Sequence, residues 1–106
     1  MRVVLLNGSR MNSRETAHET LRRRFGFPDY YGKNLDALYD LLSCEDRLTL
    51  ILLFNTYQLN QLQDNYGKAL IQTISEAAAF NHRLRLVTIR KMPLRFRQKQ
   101  RDVDKQ

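Results

Sequence analysis

Two aspartates that lie four residues apart are the side chains of this sequence best suited to bind positive charge. Asp36 and Asp40 occur in the run NLDALYDLL, and in a helix this spacing places both carboxylates on one face. Leu38, Leu41 and Leu42 fall on the opposite face, where they would pack against a core and turn the carboxylates outward. The pair therefore predicts either a surface that binds cations or a solvated acidic face.

Aromatic side chains come directly before this helix. Tyr30 and Tyr31 precede Gly32 in the run FPDYYG, whose proline and glycine are typical of a loop. Aromatic residues are enriched among the contacts that dominate protein–protein binding energy. Two loop tyrosines beside two outward carboxylates therefore indicate a protein-binding surface.

Residues suited to catalysis or metal binding are few. His18 and His82 are the only histidines, and neither has a cysteine or carboxylate at a convincing metal-ligand spacing. His18 lies one position from the apolar stripe of its predicted helix, which favours a structural role. Cys44, the only cysteine, follows the end of a predicted helix, where the dipole does not lower a thiol pKa. We therefore predict that the protein is not an enzyme and holds no metal or cofactor.

The run FPDYYGKNLDALYDLL, residues 27–42, resembles the signature of the barstar family of intracellular ribonuclease inhibitors. The resemblance covers about residues 1–89. Outside the signature, the features that fall in matching order are Asn7-Gly8 after the first strand, His18 and Leu21 in the first helix, Gln72, Glu76 and Ala77 in the last helix, and the final strand.

The resemblance implies that the helix at residues 35–43 and the loop before it plug the active site of a ribonuclease. It implies that Asp40 lies where a substrate phosphate binds, while Asp36 pairs with further cationic groups. Tyr30 would pack against the catalytic histidine of the enzyme, and Glu76 would add a peripheral ion pair. The partner-binding residues that it implies are Tyr30, Tyr31, Gly32, Asn34, Leu35, Asp36, Tyr39, Asp40, Ser43 and Glu76. A carboxylate on a rigid scaffold can occupy such a site because a nuclease presents preorganised positive charge to its substrate.

Three features depart from the family pattern and concern the target. Lys33 stands beside Asp36 where the family has an acid, and would weaken attraction to a basic enzyme. The loop over residues 43–46 lacks the Gly-Trp pair that the family places against its target, and the basic segment after Ile89 has no counterpart. The implied partner is therefore an extracellular-type or toxin ribonuclease bound in the cytoplasm, with its identity open.

Four helices are expected to position these residues. The first is predicted over residues 13–25, with Asn12 as its N-cap, Glu15 three residues further on and Gly26 at its exit. The others are predicted over residues 35–43 with Asn34 as the cap, over 56–64, and over 67–80.

Three apolar runs alternate with these helices and predict strands over about residues 2–7, 48–54 and 84–89. Strands joined by helical connections are typical of parallel sheets with right-handed crossovers. A continuous apolar run such as Val3–Leu6 predicts a buried strand rather than a half-exposed one. The expected fold class is α/β, a barstar-like three-stranded parallel sheet packed with about four helices.

The length of the chain and the distribution of its charges indicate how many domains it has and where they end. Its 106 residues suffice for one domain, and no apolar run approaches the roughly 20 residues of a membrane span. Residues 90–106 contain seven lysines or arginines and two aspartates, whereas residues 1–89 contain eleven basic and nine acidic residues. We therefore expect a barstar-like domain over residues 1–89 and a basic, mobile segment over 90–106.

The basic segment also supports an alternative function. Its cations, with Phe96 between Arg95 and Arg97, are of a kind that binds a nucleic-acid backbone without sequence preference. A regulatory protein-binding module that uses the acidic face is a further alternative. The single cysteine, and an N-terminal run that turns polar too soon for a signal peptide, favour a cytoplasmic protein.

Overall fold

The computed structural model describes residues 1–92, so most of the predicted basic segment, residues 93–106, lies outside the described residues. The elements in chain order are β1 (Arg2–Asn7), a 3₁₀ turn (Gly8–Arg10), α1 (Arg14–Phe25), α2 (Leu35–Ser43), β2 (Thr49–Phe54), α3 (Thr56–Leu59), a second 3₁₀ turn (Gln63–Asn65), α4 (Tyr66–Phe80) and β3 (Leu84–Ile89). The predicted α/β class is confirmed.

The three strands form one parallel sheet in the order β1-β2-β3. In its register Val4 lies beside Ile51, and Ile51 beside Leu86. Each crossover moves one strand further in the same direction, and such crossovers are right-handed by strong preference. Both connections therefore place their helices on the same face of the sheet.

The expectation that the apolar strands are buried rather than half-exposed is wrong for one face of the sheet. On β1, Val4 and Leu6 are buried, but Val3 and Leu5 are each 49% exposed. On β3, Val87 is 45% exposed. One-sided packing follows from the shared direction of the two crossovers, which an apolar run alone does not reveal.

The core lies between the inner face of the sheet and the helices. α2 packs against α4, and α1 packs against β1. The largest fully buried apolar side chains are Leu6, Met11, Leu21, Leu38, Leu42, Ile51, Leu53, Leu59, Leu70 and Ile74. Burial of each such side chain stabilises the fold by roughly 1.5–3 kcal/mol. Within residues 1–92, no helix is long and apolar enough to cross a membrane.

Helix α1 begins one residue later than predicted, and its N-cap differs. Ser13 is the N-cap: its Oγ accepts a hydrogen bond from Thr16 N at 3.1 Å, and Thr16 Oγ1 accepts one from Ser13 N at 2.9 Å. The predicted cap of Asn12 with Glu15 is therefore wrong, because Thr16 forms the reciprocal capping box with Ser13. The helix exits at Gly26, whose φ of 74° suits glycine.

The third helix is shorter than the predicted range of 56–64. It ends at Leu59, and the chain then passes through Leu62, whose backbone is extended. Asp64 and Asn65 both adopt left-handed backbone angles, with φ of 58° and 57°. Aspartate and asparagine tolerate this region better than most residues, so they form a turn into α4 rather than a continuous helix.

Candidate functional site

Helix α2 presents the two aspartates of the sequence motif to solvent. Its first turn is capped by Asn34, whose Oδ1 accepts a hydrogen bond from Ala37 N at 2.8 Å. Leu38 and Leu42 are fully buried and fix the helix to the core. Asp36 and Asp40 are exposed on its outer side, as their spacing predicts.

A depression of about 520 Å³ lies between α2 and α4 and gathers these carboxylates with a third. Six residues line it: Leu35, Asp36, Tyr39, Asp40, Thr73 and Glu76. Three of them are acidic and none is basic, and none of the ion pairs formed within residues 1–92 involves these three acids. The depression is therefore a concentrated source of negative potential with an apolar and aromatic wall.

Glu76 is supplied to this depression by α4. Gln72, one turn earlier, donates a hydrogen bond from its Nε2 to Glu76 Oε1 at 3.0 Å, which orients the carboxylate. Sequence reasoning missed Thr73, which lines the depression and donates to Ala69 O at 2.8 Å. Its position three residues before Glu76, on the same helical face, was the available signal.

The two adjacent tyrosines of the loop have different roles. Tyr30 is 84% exposed, whereas Tyr31 is 5% exposed and belongs to the core. The expectation that both rings face outward is therefore wrong for Tyr31, whereas its assignment to the partner-binding residues stays a prediction. Its hydroxyl lies 2.6 Å from His18 Nδ1, and its ring packs against Phe27 at a centroid distance of 4.9 Å.

His18 joins three elements beneath the loop. Its Nδ1 bonds to Tyr31, and its Nε2 bonds to the hydroxyl of Tyr66 at the start of α4. Burial, followed by the nearby charges of Arg14 and Lys33, lowers the pKa of His18 to about 4. The imidazole is therefore neutral at pH 7, so one ring nitrogen donates and the other accepts. The predicted structural role of His18 is confirmed.

Lys33 forms an ion pair with Glu19 of α1, although it lies close to Asp36 in the sequence. Its Nζ lies 3.3 Å from Glu19 Oε2, and Glu19 also accepts hydrogen bonds from Arg22 at 2.8 and 3.1 Å. The hydrogen bond from Arg22, assisted by Lys33, lowers the pKa of Glu19 to about 2. Lys33 therefore opposes the acidic depression less than the sequence suggested, because an adjacent carboxylate compensates its charge.

The remaining predicted contact residues flank the depression. Gly32 is exposed, and a Cβ there would lie 3.2 Å from Asn34 Nδ2 and 3.3 Å from the Cβ of Ala37. Ser43, at the end of α2, is half-buried, and its Oγ is shielded from solvent. Gly32 therefore allows the loop to approach the α2 cap closely, whereas Ser43 lies outside the lining of the depression.

The part of the chain that the structure describes contains no candidate metal centre. No group of three or more histidine, cysteine, aspartate or glutamate side chains there is placed to hold an ion. Cys44 is an exposed free thiol.

Two comparisons with known proteins bear on the family of this chain. The sequence model of the family described as "Barstar (barnase inhibitor)" matches residues 1–91. The chain is also similar to a protein from Bacillus subtilis (strain 168) named "Putative ribonuclease inhibitor YrdF". The two are 35% identical over 78 residues, which cover 73% of this chain and 86% of that protein.

Proposed function

Since this chain belongs to the barstar family, we propose that it inhibits a ribonuclease by inserting α2 and the preceding loop into the enzyme's active site. The observation that carries the proposal is the convergence of Asp36, Asp40 and Glu76 on one depression with no basic residue in its lining. The partner would be an extracellular-type or toxin ribonuclease, met in the cytoplasm, in the manner of an antitoxin or immunity protein.

Charge complementarity supports this partner class. Phosphoryl-transfer enzymes stabilise developing negative charge with preorganised cations, so their active sites attract a rigid acidic surface. The carboxylates of Asp36 and Asp40 lie on a short helix fixed by two buried leucines, which lowers the ordering cost of binding. Such charges mainly accelerate association and select the partner.

Tyr30 supplies the aromatic part of the proposed contact. Among the large hydrophobic residues, it is one of the most exposed, with 84% of its surface accessible beside the N-terminus of α2. An aromatic side chain at the edge of an acidic surface is the composition expected of a binding hot spot. We assign no catalytic role to any residue of this chain, because the proposed inhibitor acts by occupying the enzyme's site.

The test is inhibition of barnase, the enzyme in the family's description, measured as cleavage of a fluorogenic RNA over a range of inhibitor concentrations. We expect Asp40→Ala to weaken inhibition by at least about thirtyfold, or roughly 2 kcal/mol, because the enzyme's cations lose a desolvated partner. The matched control is Glu15→Ala, which removes one exposed carboxylate from the first turn of α1.

The control should inhibit within about twofold of the wild type, and Asp40→Ala should unfold at an unchanged or slightly higher denaturant concentration. The latter follows because the change removes a like-charge pair from α2, worth about 0.3 kcal/mol. Equal inhibition by Asp40→Ala and the wild type would refute the assigned surface. If the wild type does not inhibit barnase but inhibits another ribonuclease, the family role holds with a different target.

The nucleic-acid alternative depends on residues beyond Met92 and stays a prediction. The regulatory alternative would use the same acidic depression with a partner that is not a nuclease. Removing residues 93–106 separates the first alternative from the proposal, because inhibition should persist while any binding of RNA by this chain should disappear.

A further inference from the structure

The loop that joins α1 to α2 is attached to α1 by buried contacts at two points. Phe27 stacks on Phe25 with ring centroids 5.2 Å apart and an interplanar angle of 6°. Tyr31 inserts into the core and bonds to His18, also on α1. These contacts fix residues 27 and 31, whereas the stretch from residue 32 to α2 is held locally by a hydrogen bond from Asn34 Nδ2 to Gly32 O at 3.3 Å and makes neither contact.

Two ion pairs add to these buried contacts: Arg22 on α1 lies 3.6 Å from the exposed carboxylate of Asp29, and a second pair lies between Tyr31 and the start of α2. Lys33 reaches back to Glu19 on α1, with a distance of 3.3 Å between Nζ and Oε2. Glu19 is itself held by Arg22, whose Nε and Nη2 both donate to its carboxylate. The carboxylate of Glu19 is thus held by α1 itself, independently of its contact with Lys33.

From this arrangement we infer that Glu19 is a positioning residue whose ion pair with Lys33 clamps the loop so that Tyr30 and α2 are presented together. The inference rests on the proposed function, since it concerns the presentation of that binding surface. It extends the surface to a side chain of α1 that does not line the depression.

The backbone of Lys33 shows why a clamp is needed. Its φ of 53° lies in the left-handed region, which lysine adopts rarely and at a cost in free energy. Without the pair to Glu19, the loop is free to relax toward backbone angles that lysine prefers. Only the fraction of molecules that keep the presented conformation would then bind the partner directly.

Two variants that change the charge in opposite directions distinguish a clamp from an effect of surface charge alone. Glu19→Gln removes a negative charge and Lys33→Met removes a positive one. Attraction to a cationic enzyme alone predicts weaker binding for the first variant and tighter binding for the second. A clamp predicts that both variants bind more weakly, and that combining them adds little.

The first measurement is backbone amide hydrogen exchange of residues 29–34 in the free protein, which requires no partner. We expect Glu19→Gln and Lys33→Met to accelerate exchange about twofold to fivefold, the upper part of the range for a partly exposed ion pair. Lys33→Arg keeps the pair and should preserve wild-type exchange. The matched control is Glu15→Gln, an equal charge change on the same helix that should leave exchange unaltered. Unaltered exchange in both Glu19→Gln and Lys33→Met would overturn the inference.

The second measurement is inhibition of barnase by the same variants. We expect Glu19→Gln and Lys33→Met each to weaken inhibition about threefold or more, with Glu15→Gln within about twofold of the wild type. Tighter inhibition by Lys33→Met would overturn the inference, because surface charge would then suffice. If the wild type inhibits no ribonuclease, the proposed function fails, and hydrogen exchange alone decides whether the clamp exists.

Discussion

Mild acidification should destabilise this protein through His18. The imidazole is fully buried between Tyr31 and Tyr66, and its pKa falls from 6.5 to about 4, first through burial and then through the charges of Arg14 and Lys33. Protonation would place a charge where both neighbouring groups are phenols and the nearby ionised groups are cations. The imidazole therefore binds a proton more weakly in the folded state than in the unfolded chain.

The sign and size of the effect follow from this difference. Above pH 6.5 both states hold a neutral imidazole, so stability is at its full value. Between pH 6.5 and 4 the unfolded state binds the proton first, and the free energy of unfolding falls. Each pKa unit corresponds to about 1.4 kcal/mol, so the loss between pH 7 and 4.5 is on the order of 2 kcal/mol, because titration of the folded state is not yet complete at pH 4.5. Glu19, with its pKa of about 2, loses its own contribution mainly below pH 4.5.

Urea denaturation at pH 7, 6, 5 and 4.5 measures this loss directly. His18→Gln should be less stable at pH 7 but should show a much flatter profile over this range. His82→Gln is the matched control, because it removes an exposed histidine and should keep the wild-type slope. A wild-type free energy of unfolding that stays constant from pH 7 to 4.5, or a slope that survives His18→Gln, would refute the reasoning.

Two further predictions concern the loop and the C-terminal segment. Tyr31→Phe should lower the free energy of unfolding by about 1–3 kcal/mol in urea, because a buried ring nitrogen of His18 loses its partner, whereas the neighbouring change Tyr30→Phe should stay within about 0.5 kcal/mol. Removing residues 93–106 should change Tm by less than about 4 °C, since the cut spares Met92, whose N–H donates to Asn55 Oδ1 at 3.0 Å. A larger shift in Tm would show that the segment packs on the domain.

The elements were predictable from sequence where local patterns determine them. Asn34 and the spacing of Leu38 and Leu42 give α2 its bounds and its outward acidic side without reference to the rest of the chain. The three strands follow from short apolar runs between helical segments. The predicted helix over residues 56–64 is too long because the chain ends α3 at Leu59 and becomes extended at Leu62, before the left-handed turn at Asp64 and Asn65.

The parts that sequence did not reveal depend on tertiary neighbours. Tyr30 and Tyr31 are identical in type and adjacent, and only the position of His18 beneath the loop decides which one is buried. The pair between Lys33 and Glu19 joins residues fourteen apart across a loop whose path no local propensity specifies. Contacts of this kind are set by how elements pack, so charge counts along the sequence misjudge them.

The run from Phe27 to Asp40 combines a folding unit with the proposed binding surface, and the two sets of positions face different constraints. Phe27 and Tyr31 lie in the core, where substitution costs several kcal/mol, whereas Tyr30, Asp36 and Asp40 are exposed, where most substitutions cost little stability. The inward positions therefore carry the family fold whatever the partner. Selection for a particular nuclease can act only on the outward positions and on side chains, such as Lys33, that border them. If the proposed function holds, we expect the target to be a ribonuclease whose active-site rim accommodates Lys33 paired with Glu19.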